Sequence, residues 1–235
     1  MTGVLLQARL SSTRMPNKAL LELGGRTVVE QAMRSLSRVP AHAHVLVTDE
    51  ESSLLLAPRA HACGWEHFAG SRENVLDRFV SASRRFGLTE IVRATGDNPL
   101  VSWELARMAV AARRRLAADY LGFDGPPLGT GVEVVLADAL ERAHRESYDP
   151  YDREHVTPYL YRNPGRFACS RVAAPPAYRL PAARVSLDTA EDYAALCELF
   201  GELYEGDPIP VLRLIRHLGA RRISGEGNYV HDARP

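Results

Sequence analysis

The sequence has 235 residues, of which 46% are hydrophobic and 25% charged, a composition typical of a globular protein rather than a disordered chain. Its 29 basic and 29 acidic residues cancel, which argues against a nucleic-acid partner. No apolar stretch approaches the roughly 20 residues that span a bilayer, and the apolar N-terminal run lacks a basic leader. We therefore expect a cytoplasmic protein that binds small molecules, and neither nucleic acid nor membrane.

In the first half of the chain, short apolar segments alternate with longer amphipathic ones. The pattern predicts, in order, strand 4–8, helix 27–37, strand 44–48, helix 52–62, strand 65–69, helix 74–86, strand 90–94 and helix 102–116. Strands that alternate with helices of about 10–15 residues are typical of stacked βαβ units. The fold class is therefore α/β, with a mostly parallel sheet flanked by helices.

After about residue 119 this alternation stops. The second half predicts a turn-rich break at 124–131, a short strand at 133–135 and a helix at 137–147. Irregular chain with prolines follows at 148–183, and then a strand at 184–188 and a helix at 191–204. The simplest model is one domain, 1–235, with an inserted α+β segment at about 125–183. We expect that segment to cover the site or to form a dimer contact.

A polar loop follows the first predicted strand, at residues 9–18. It offers two guanidinium groups, three hydroxyls and Lys18, the only lysine in the chain. Ligands bind beyond the carboxyl ends of the strands in open parallel sheets, and such donors can cradle a polyphosphate or neutralise a leaving pyrophosphate. The same residues also suit a solvated surface loop, and the loop alone does not decide between the two.

Asp97 and Asp188 follow two other predicted strands, so we expect both at the same edge of the sheet. Mg²⁺ takes one or two carboxylates together with phosphate oxygens and water, so these aspartates predict a Mg²⁺ site. Each also has a structural explanation, because Asp97-Asn-Pro99 suits a turn and Asp188 suits a helix N-cap with Glu191 in the capping-box position. The 9–18 loop, Asp97 and Asp188 each follow a predicted strand of one sheet, and this combination favours a nucleotide site over three separate structural explanations.

Five motifs follow one another across nearly the whole chain: Gln7-Ala-Arg-Leu-Ser-Ser-Thr-Arg-Met-Pro-Asn-Lys18-Ala-Leu, Gly70-Ser-Arg-Glu-Asn-Val-Leu-Asp-Arg78, Arg93-Ala-Thr-Gly-Asp-Asn-Pro99, Arg153-Glu-His-Val-Thr157 and Leu187-Asp-Thr-Ala-Glu-Asp192. Together they resemble the cytidylyltransferases that activate acidic sugars, of the acylneuraminate and 3-deoxy-octulosonate type. The resemblance is strongest to the spore-coat polysaccharide cytidylyltransferase-like branch. It implies a Rossmann-like fold of the nucleotide-diphospho-sugar transferase type.

The resemblance also implies roles for individual residues. Nucleotide binding would fall to Gln7, Ala8, Arg9, Ser11, Ser12, Thr13, Arg14, Lys18, Arg72, Asn74, Thr95 and Gly96. Catalytic roles would fall to Arg9, Lys18 and Asp97, and Mg²⁺ would bind Asp97 and Asp188. Acceptor or dimer contacts would come from Glu133, Arg153, Glu154 and His155. His155 is either a general base or a structural partner of Glu154.

The implied reaction transfers CMP from CTP to a small sugar-like or acidic acceptor and releases pyrophosphate. The implied enzyme is a homodimer in cell-surface polysaccharide or glycoconjugate precursor biosynthesis. Three alternatives stay open: another nucleotide donor or a phosphorylated or phosphonate acceptor, a glycosyltransferase that uses a nucleotide sugar, and a nucleotide-binding protein without turnover. Such glycosyltransferases commonly carry an Asp-x-Asp motif, which this sequence lacks.

Overall fold

A computed structural model describes residues 1–12 and 14–224. Thr13, a predicted nucleotide-binding residue, lies outside the described residues. The strands are β1 Thr2–Gln7, β2 Glu22–Leu23, β3 Arg26–Thr27, β4 Ala43–Asp49, β5 Glu66–Gly70, β6 Glu90–Thr95, β7 Tyr120–Asp124, β8 Glu133–Leu136 and β9 Cys169–Ala173. The α-helices are α1 Val28–Leu36, α2 Glu50–Ala62, α3 Val75–Arg85, α4 Trp103–Leu116, α5 Ala137–Glu146, α6 Pro150–His155, α7 Pro158–Arg162, α8 Ala190–Leu203 and α9 Val211–Ser224.

Within these described residues, seven strands form one sheet in the order β5-β4-β1-β6-β8-β7-β9. The first four are parallel, β8 is antiparallel to both of its neighbours, and β9 is parallel to β7. The predicted mostly parallel sheet flanked by helices is therefore confirmed. Because the neighbours of β1 run parallel to it, Gln7 at its carboxyl end lies opposite Val47 and Thr95.

Apolar residues on the two faces of the sheet form two separate core clusters. Along β1, Val4 and Leu6 pack under α1 and α4, whereas Leu5 packs under α3 and α5. This alternation follows from the two-residue period of a strand, and burial of each such side chain contributes roughly 1.5–3 kcal/mol. A rigid two-sided core therefore fixes the strand ends that carry the candidate site.

The predicted strand at 184–188 is wrong. Its backbone is extended, but it makes only an isolated bridge, between Leu128 and Arg184. Val185 and Leu187 alternate inward against α8, which produces the strand-like sequence pattern. The Leu187 N–H donates to the Asp97 carbonyl at 3.2 Å, so this segment reaches the site without joining the sheet.

The chain between 125 and 183 is more regular than the sequence indicates. It holds β8, α5, α6, α7 and β9, and its two strands belong to the central sheet. The sequence also misses β7, whose Gly122 lowers its strand propensity, and α9. A role for this segment in acceptor binding or dimerisation stays a prediction. Among the described helices, none combines the length and the hydrophobicity needed to cross a membrane.

Candidate active site

The loops after β1 and β6 leave the sheet side by side because Gly96 permits a close approach. Its N–H donates to the Gln7 carbonyl at 2.7 Å. A Cβ at position 96 would lie 2.9 Å from the Cβ of Ala8 and 3.3 Å from the Gln7 carbonyl oxygen. Any larger residue would therefore separate the two loops that the sequence predicts to bind nucleotide.

Lys18 joins three segments of the chain. It follows Asn17, which has a left-handed backbone at φ 59°, and only 8% of its surface is exposed. Its Nζ donates to Asp97 Oδ2 at 2.8 Å, to Asp188 Oδ1 at 3.0 Å and to the Leu187 carbonyl at 2.7 Å. The structure thus brings together the predicted lysine and both predicted metal ligands. A solvated surface loop does not account for this burial.

Asp188 is not the N-cap of α8, so that interpretation is wrong. Thr189 caps the helix, and Asp192 rather than Glu191 completes the capping box. The Asp188 carboxylate is instead bound by Lys18 and by two arginines, Arg14 at 3.1 Å and Arg184 at 2.7 Å. Burial acts to raise the pKa of Asp188, but these cations outweigh it and hold the pKa below its ordinary value.

The charges around Lys18 balance. Arg184 also contacts Asp192 at 3.3 Å, so three cations face three carboxylates in what we call the Lys18 cluster: Arg14, Lys18, Arg184, Asp97, Asp188 and Asp192. Among the described residues, no three His, Cys, Asp or Glu side chains converge on a metal position. Two carboxylates do suit Mg²⁺ when phosphate oxygens and water complete its coordination.

Other residues of the first loop are more accessible. Arg9 pairs with Glu154 at 3.2 Å, with 40% and 50% of the two side chains exposed, and the Arg14 side chain is 70% exposed. Ser11 and Ser12 are partly exposed on the same loop. Exposed ion pairs contribute little stability, so these arginines can exchange their partners for phosphate at small cost.

Two predicted nucleotide-binding residues lie away from the Lys18 cluster, beyond β5. Arg72 pairs with Glu51 at 2.8 Å, and the Asn74 side chain caps α3 by accepting from the Asp77 N–H at 3.0 Å. An open depression adjoins them, lined by Asp49, Glu50, Glu51, Gly70, Ser71 and Arg72. The depression has room for a ligand group at the strand ends, two strands away from β1.

The turn expected at Asp97-Asn-Pro99 is present. Asn98 Nδ2 donates to Thr95 Oγ1 at 2.7 Å, and the Asn98 N–H donates to the Thr95 carbonyl at 3.3 Å. The turn and the contact between Asp97 and Lys18 occur together, so the structural and the functional interpretations of Asp97 do not compete.

Glu133 lies on the other side of β6 from β1, opposite Arg93. Its carboxylate accepts from Arg93 Nη1, from the Tyr120 hydroxyl at 2.7 Å and from Thr157 Oγ1 at 3.0 Å. Burial, followed by the nearby Glu133 charge, raises the pKa of Tyr120 far above its ordinary value. We call these four residues the Glu133 cluster, and they lie on the side of the sheet covered by α3 and α5.

The remaining predicted acceptor residues lie on α6. Arg153 lies over the Tyr148 ring at 5.7 Å, and His155 packs on Tyr151 with ring centroids 4.3 Å apart. Glu154 pairs with Arg9 rather than with His155, so the predicted structural pair is not formed. The contact between Arg9 and Glu154 does connect α6 to the first loop.

A model of the cytidylyltransferase family matches residues 3–223 of the chain. The chain belongs to the cytidylyltransferase family. The spore coat polysaccharide biosynthesis protein SpsF of Bacillus subtilis is 31% identical over 218 residues, which cover 90% of this chain and 91% of SpsF. A cytidylyltransferase from Leptospira borgpetersenii has the same fold, with a TM-score of 0.87 at 24% identity over 98% of this chain and 99% of that one. A CMP:2-keto-3-deoxy-manno-octonic acid synthetase solved with CTP has a TM-score of 0.65 at 15% identity, covering 86% and 98%.

Several residues that contact the candidate site residues are not predicted from the sequence. The sequence motifs do not mark Arg184, although it stands four residues before Asp188 and reaches the same carboxylate. Arg93 belongs to a motif but has no predicted role, although a charged residue within a buried strand is itself a signal of a buried ion pair. Tyr120 and Thr157 carry no comparable signal, because Tyr120 reaches Glu133 only through the sheet order and Thr157 only through the packing of the chain before α7.

Proposed function

We propose that this enzyme transfers CMP from CTP to a small sugar-like or acidic acceptor with release of pyrophosphate and dependence on Mg²⁺. The observation that carries the proposal is the contact of Lys18 Nζ with both Asp97 and Asp188. A cation and two carboxylates therefore meet at the edge of the sheet where the parallel strands end, which is where ligands bind in open parallel sheets. The family assignment and the CTP bound to the octonic acid synthetase support the choice of nucleotide.

In this proposal Asp97 and Asp188 hold Mg²⁺, which supplies charge stabilisation at the phosphates when it is bound. The Lys18 cluster has no net formal charge, so a divalent cation alone would leave it with excess positive charge. A triphosphate that binds together with the metal would supply the compensating negative charge. Lys18 Nζ then leaves the carboxylates and donates to phosphate oxygens, as a compact charge on a flexible stem can.

The chemical step is an in-line displacement. An acceptor oxygen forms a bond to the α-phosphorus, while the bond between the α-phosphorus and the bridging oxygen breaks and pyrophosphate leaves. Lys18, Arg9 and Arg14 stabilise the charge on the departing group. The acceptor hydroxyl loses its proton, for which His155 is our candidate base. Glu133, Arg153 and Glu154 contact the acceptor.

We also propose a cytoplasmic homodimer that supplies an activated precursor for cell-surface polysaccharide or glycoconjugate synthesis. The relationship to SpsF supports the pathway. The 125–183 segment is our proposed contact between subunits. Gel filtration of the purified chain with light scattering measures its molar mass and so tests the dimer.

Melting temperature in the presence of CTP, UTP, GTP or ATP, with and without Mg²⁺, tests the proposed donor. A ligand that binds only the native state raises the melting temperature in proportion to its occupancy. We expect selective, metal-enhanced stabilisation by CTP, followed by pyrophosphate release once an acceptor is supplied. Stabilisation by another nucleotide would overturn the assignment of CTP. No shift with any of them would overturn the nucleotide site.

A further inference from the structure

Ser52 is a buried residue in the first turn of α2 to which the proposed reaction assigns no role. Only 2% of its surface is exposed. Its Oγ donates to Asp49 Oδ2 at 2.9 Å and accepts from the backbone N–H of Leu10 at 2.9 Å. Leu10 lies in the first loop, 42 positions earlier in the chain. Ser52 therefore joins α2 to the loop that carries Arg9 and Lys18.

Helix capping does not account for this contact. Asp49 is the N-cap of α2, and its Oδ1 accepts from the Ser52 N–H at 2.9 Å. That bond needs only the backbone of residue 52, so any residue other than proline would preserve the cap. A hydroxyl has one hydrogen and two lone pairs, and here the hydrogen points to the buried Asp49 carboxylate. A lone pair is thereby held in place for the Leu10 N–H.

Leu10 is in turn the point at which the two ends of the first loop meet. Its carbonyl accepts from the Asn17 N–H at 3.0 Å, and its side chain packs against the core. Asn17 has the left-handed backbone that precedes Lys18, and its own carbonyl accepts from the Leu20 N–H at 2.8 Å. Hydrogen bonds therefore connect Ser52, through Leu10 and Asn17, to the backbone at Lys18.

Under the proposed function, Lys18 depends on this connection most when the nucleotide is bound. In this structure its Nζ is held by Asp97, Asp188 and the Leu187 carbonyl. When the Nζ leaves these oxygens for the phosphates, the side chain no longer anchors the loop to the rest of the cluster. The backbone bonds that start at Ser52 then remain to fix where the cation stands.

We propose that Ser52 is a positioning residue for the triphosphate, which holds the first loop through Leu10 so that Lys18 and the loop arginines reach the phosphates. The proposal rests on the proposed function, because it assumes that the first loop binds the triphosphate. The Ser52 side chain is buried, so it acts through the loop and does not touch the nucleotide. Its loss should weaken the binding of any ligand with a triphosphate, whether or not that ligand carries a nucleoside.

Calorimetric binding of two probes, each with Mg²⁺, tests the role of Ser52. One probe is the non-reactive α,β-methylene analogue of CTP, and the other is inorganic tripolyphosphate, which lacks base and ribose. For Ser52→Ala we expect the Kd for both probes to rise about tenfold, the size of one lost hydrogen bond in a partly buried position. Ser53→Ala, the same change at a partly exposed position of α2, should alter neither.

The two probes separate the possible failures. Wild-type affinity of Ser52→Ala for both probes would overturn the inference. A loss confined to the CTP analogue would also overturn it, because Ser52 would then act on the nucleoside. A wild type that binds neither probe would instead overturn the proposed function. If Ser52→Ala does not fold, Ser52→Cys takes its place, since sulfur is a weak acceptor in a side chain of similar shape.

Hydrogen exchange tests the connection in the absence of any ligand. The amides of Leu10 and Asn17 both donate in the free protein and should exchange slowly in the wild type. In Ser52→Ala both should exchange about tenfold faster, while the amides of β1 keep their wild-type rates and report an intact fold. Unchanged rates at both amides, as a role limited to α2 would give, would overturn the inference. Faster exchange at Leu10 alone would overturn it too, since the effect would not reach Lys18.

Discussion

The Lys18 cluster and the Glu133 cluster are both organised by one charged side chain that makes three hydrogen bonds. Lys18 Nζ donates to three oxygens, and the Glu133 carboxylate accepts from three donors. The partners of Lys18 stand on loops and on the extended 184–188 segment, whereas Arg93 and Tyr120 stand on strands of the sheet. The first cluster can therefore exchange partners with a ligand, and the second is fixed by the core. We expect substitutions in the first to affect activity with little effect on stability, and substitutions in the second to affect stability as well as acceptor binding.

The largest effect is expected from Asp97→Asn and Asp188→Asn. Each removes a proposed Mg²⁺ ligand while preserving shape, so metal-dependent pyrophosphate release should fall about 1,000-fold, the upper range for loss of one electrostatic contact to a transition state. Circular dichroism should show an intact fold. Full activity of Asp188→Asn would rule out the two-carboxylate metal site.

Lys18→Met should reduce turnover about 100-fold and weaken triphosphate binding, because the cation that neutralises the phosphates is lost. It should also free both carboxylates. We therefore expect Mn²⁺ alone, followed by electron paramagnetic resonance, to bind this variant about tenfold more tightly than the wild type.

The matched control is Lys18→Met combined with Asp97→Asn, which should lose the added Mn²⁺ affinity. If the wild type already binds Mn²⁺ alone as tightly as it does with a non-reactive α,β-methylene analogue of CTP, Lys18 does not compete with the metal.

Glu133→Gln should lower the free energy of unfolding by about 2–3 kcal/mol, because it leaves the Arg93 charge poorly compensated in a mostly buried position. Only 14% of the Arg93 side chain and 23% of that of Glu133 are exposed. Urea unfolding measures the change, and Tyr120→Phe should cost less, about 1 kcal/mol. A stability loss in Lys18→Met as large as that in Glu133→Gln would contradict the contrast between the two clusters.

The smallest effect concerns pH. The pKa of Asp188 is lower in the folded protein than in the unfolded chain, so the ionised form contributes stability above its ordinary pKa of about 3.9. That contribution should disappear as the pH falls through the lower, folded value. Urea unfolding between pH 2.5 and 6 should show a steeper loss for the wild type than for Asp188→Asn. Parallel curves would mean that Asp188 is not ion-paired in solution.

The sequence predicts the sheet and the motif residues of the site, but not how all of them meet. Strand and helix periods locate β1, β4, β5 and β6, because alternation is a local property. The contact between Lys18 and Asp188 spans 170 positions and depends on a backbone hydrogen bond from an extended segment that resembles a strand. The cap at Thr189 rather than Asp188 is a one-residue shift that helix-start patterns do not resolve.

Because Lys18 is the only lysine in the chain, its amine is a chemically unique side chain. Among the side chains, reagents that acylate amines can modify only this one. Burial against two carboxylates should make Lys18 slow to react, and a bound nucleotide should shield it further. Mass spectrometry of the acylated chain would therefore report ligand occupancy at one atom, and attachment of the protein to a surface through amines would risk blocking the site itself.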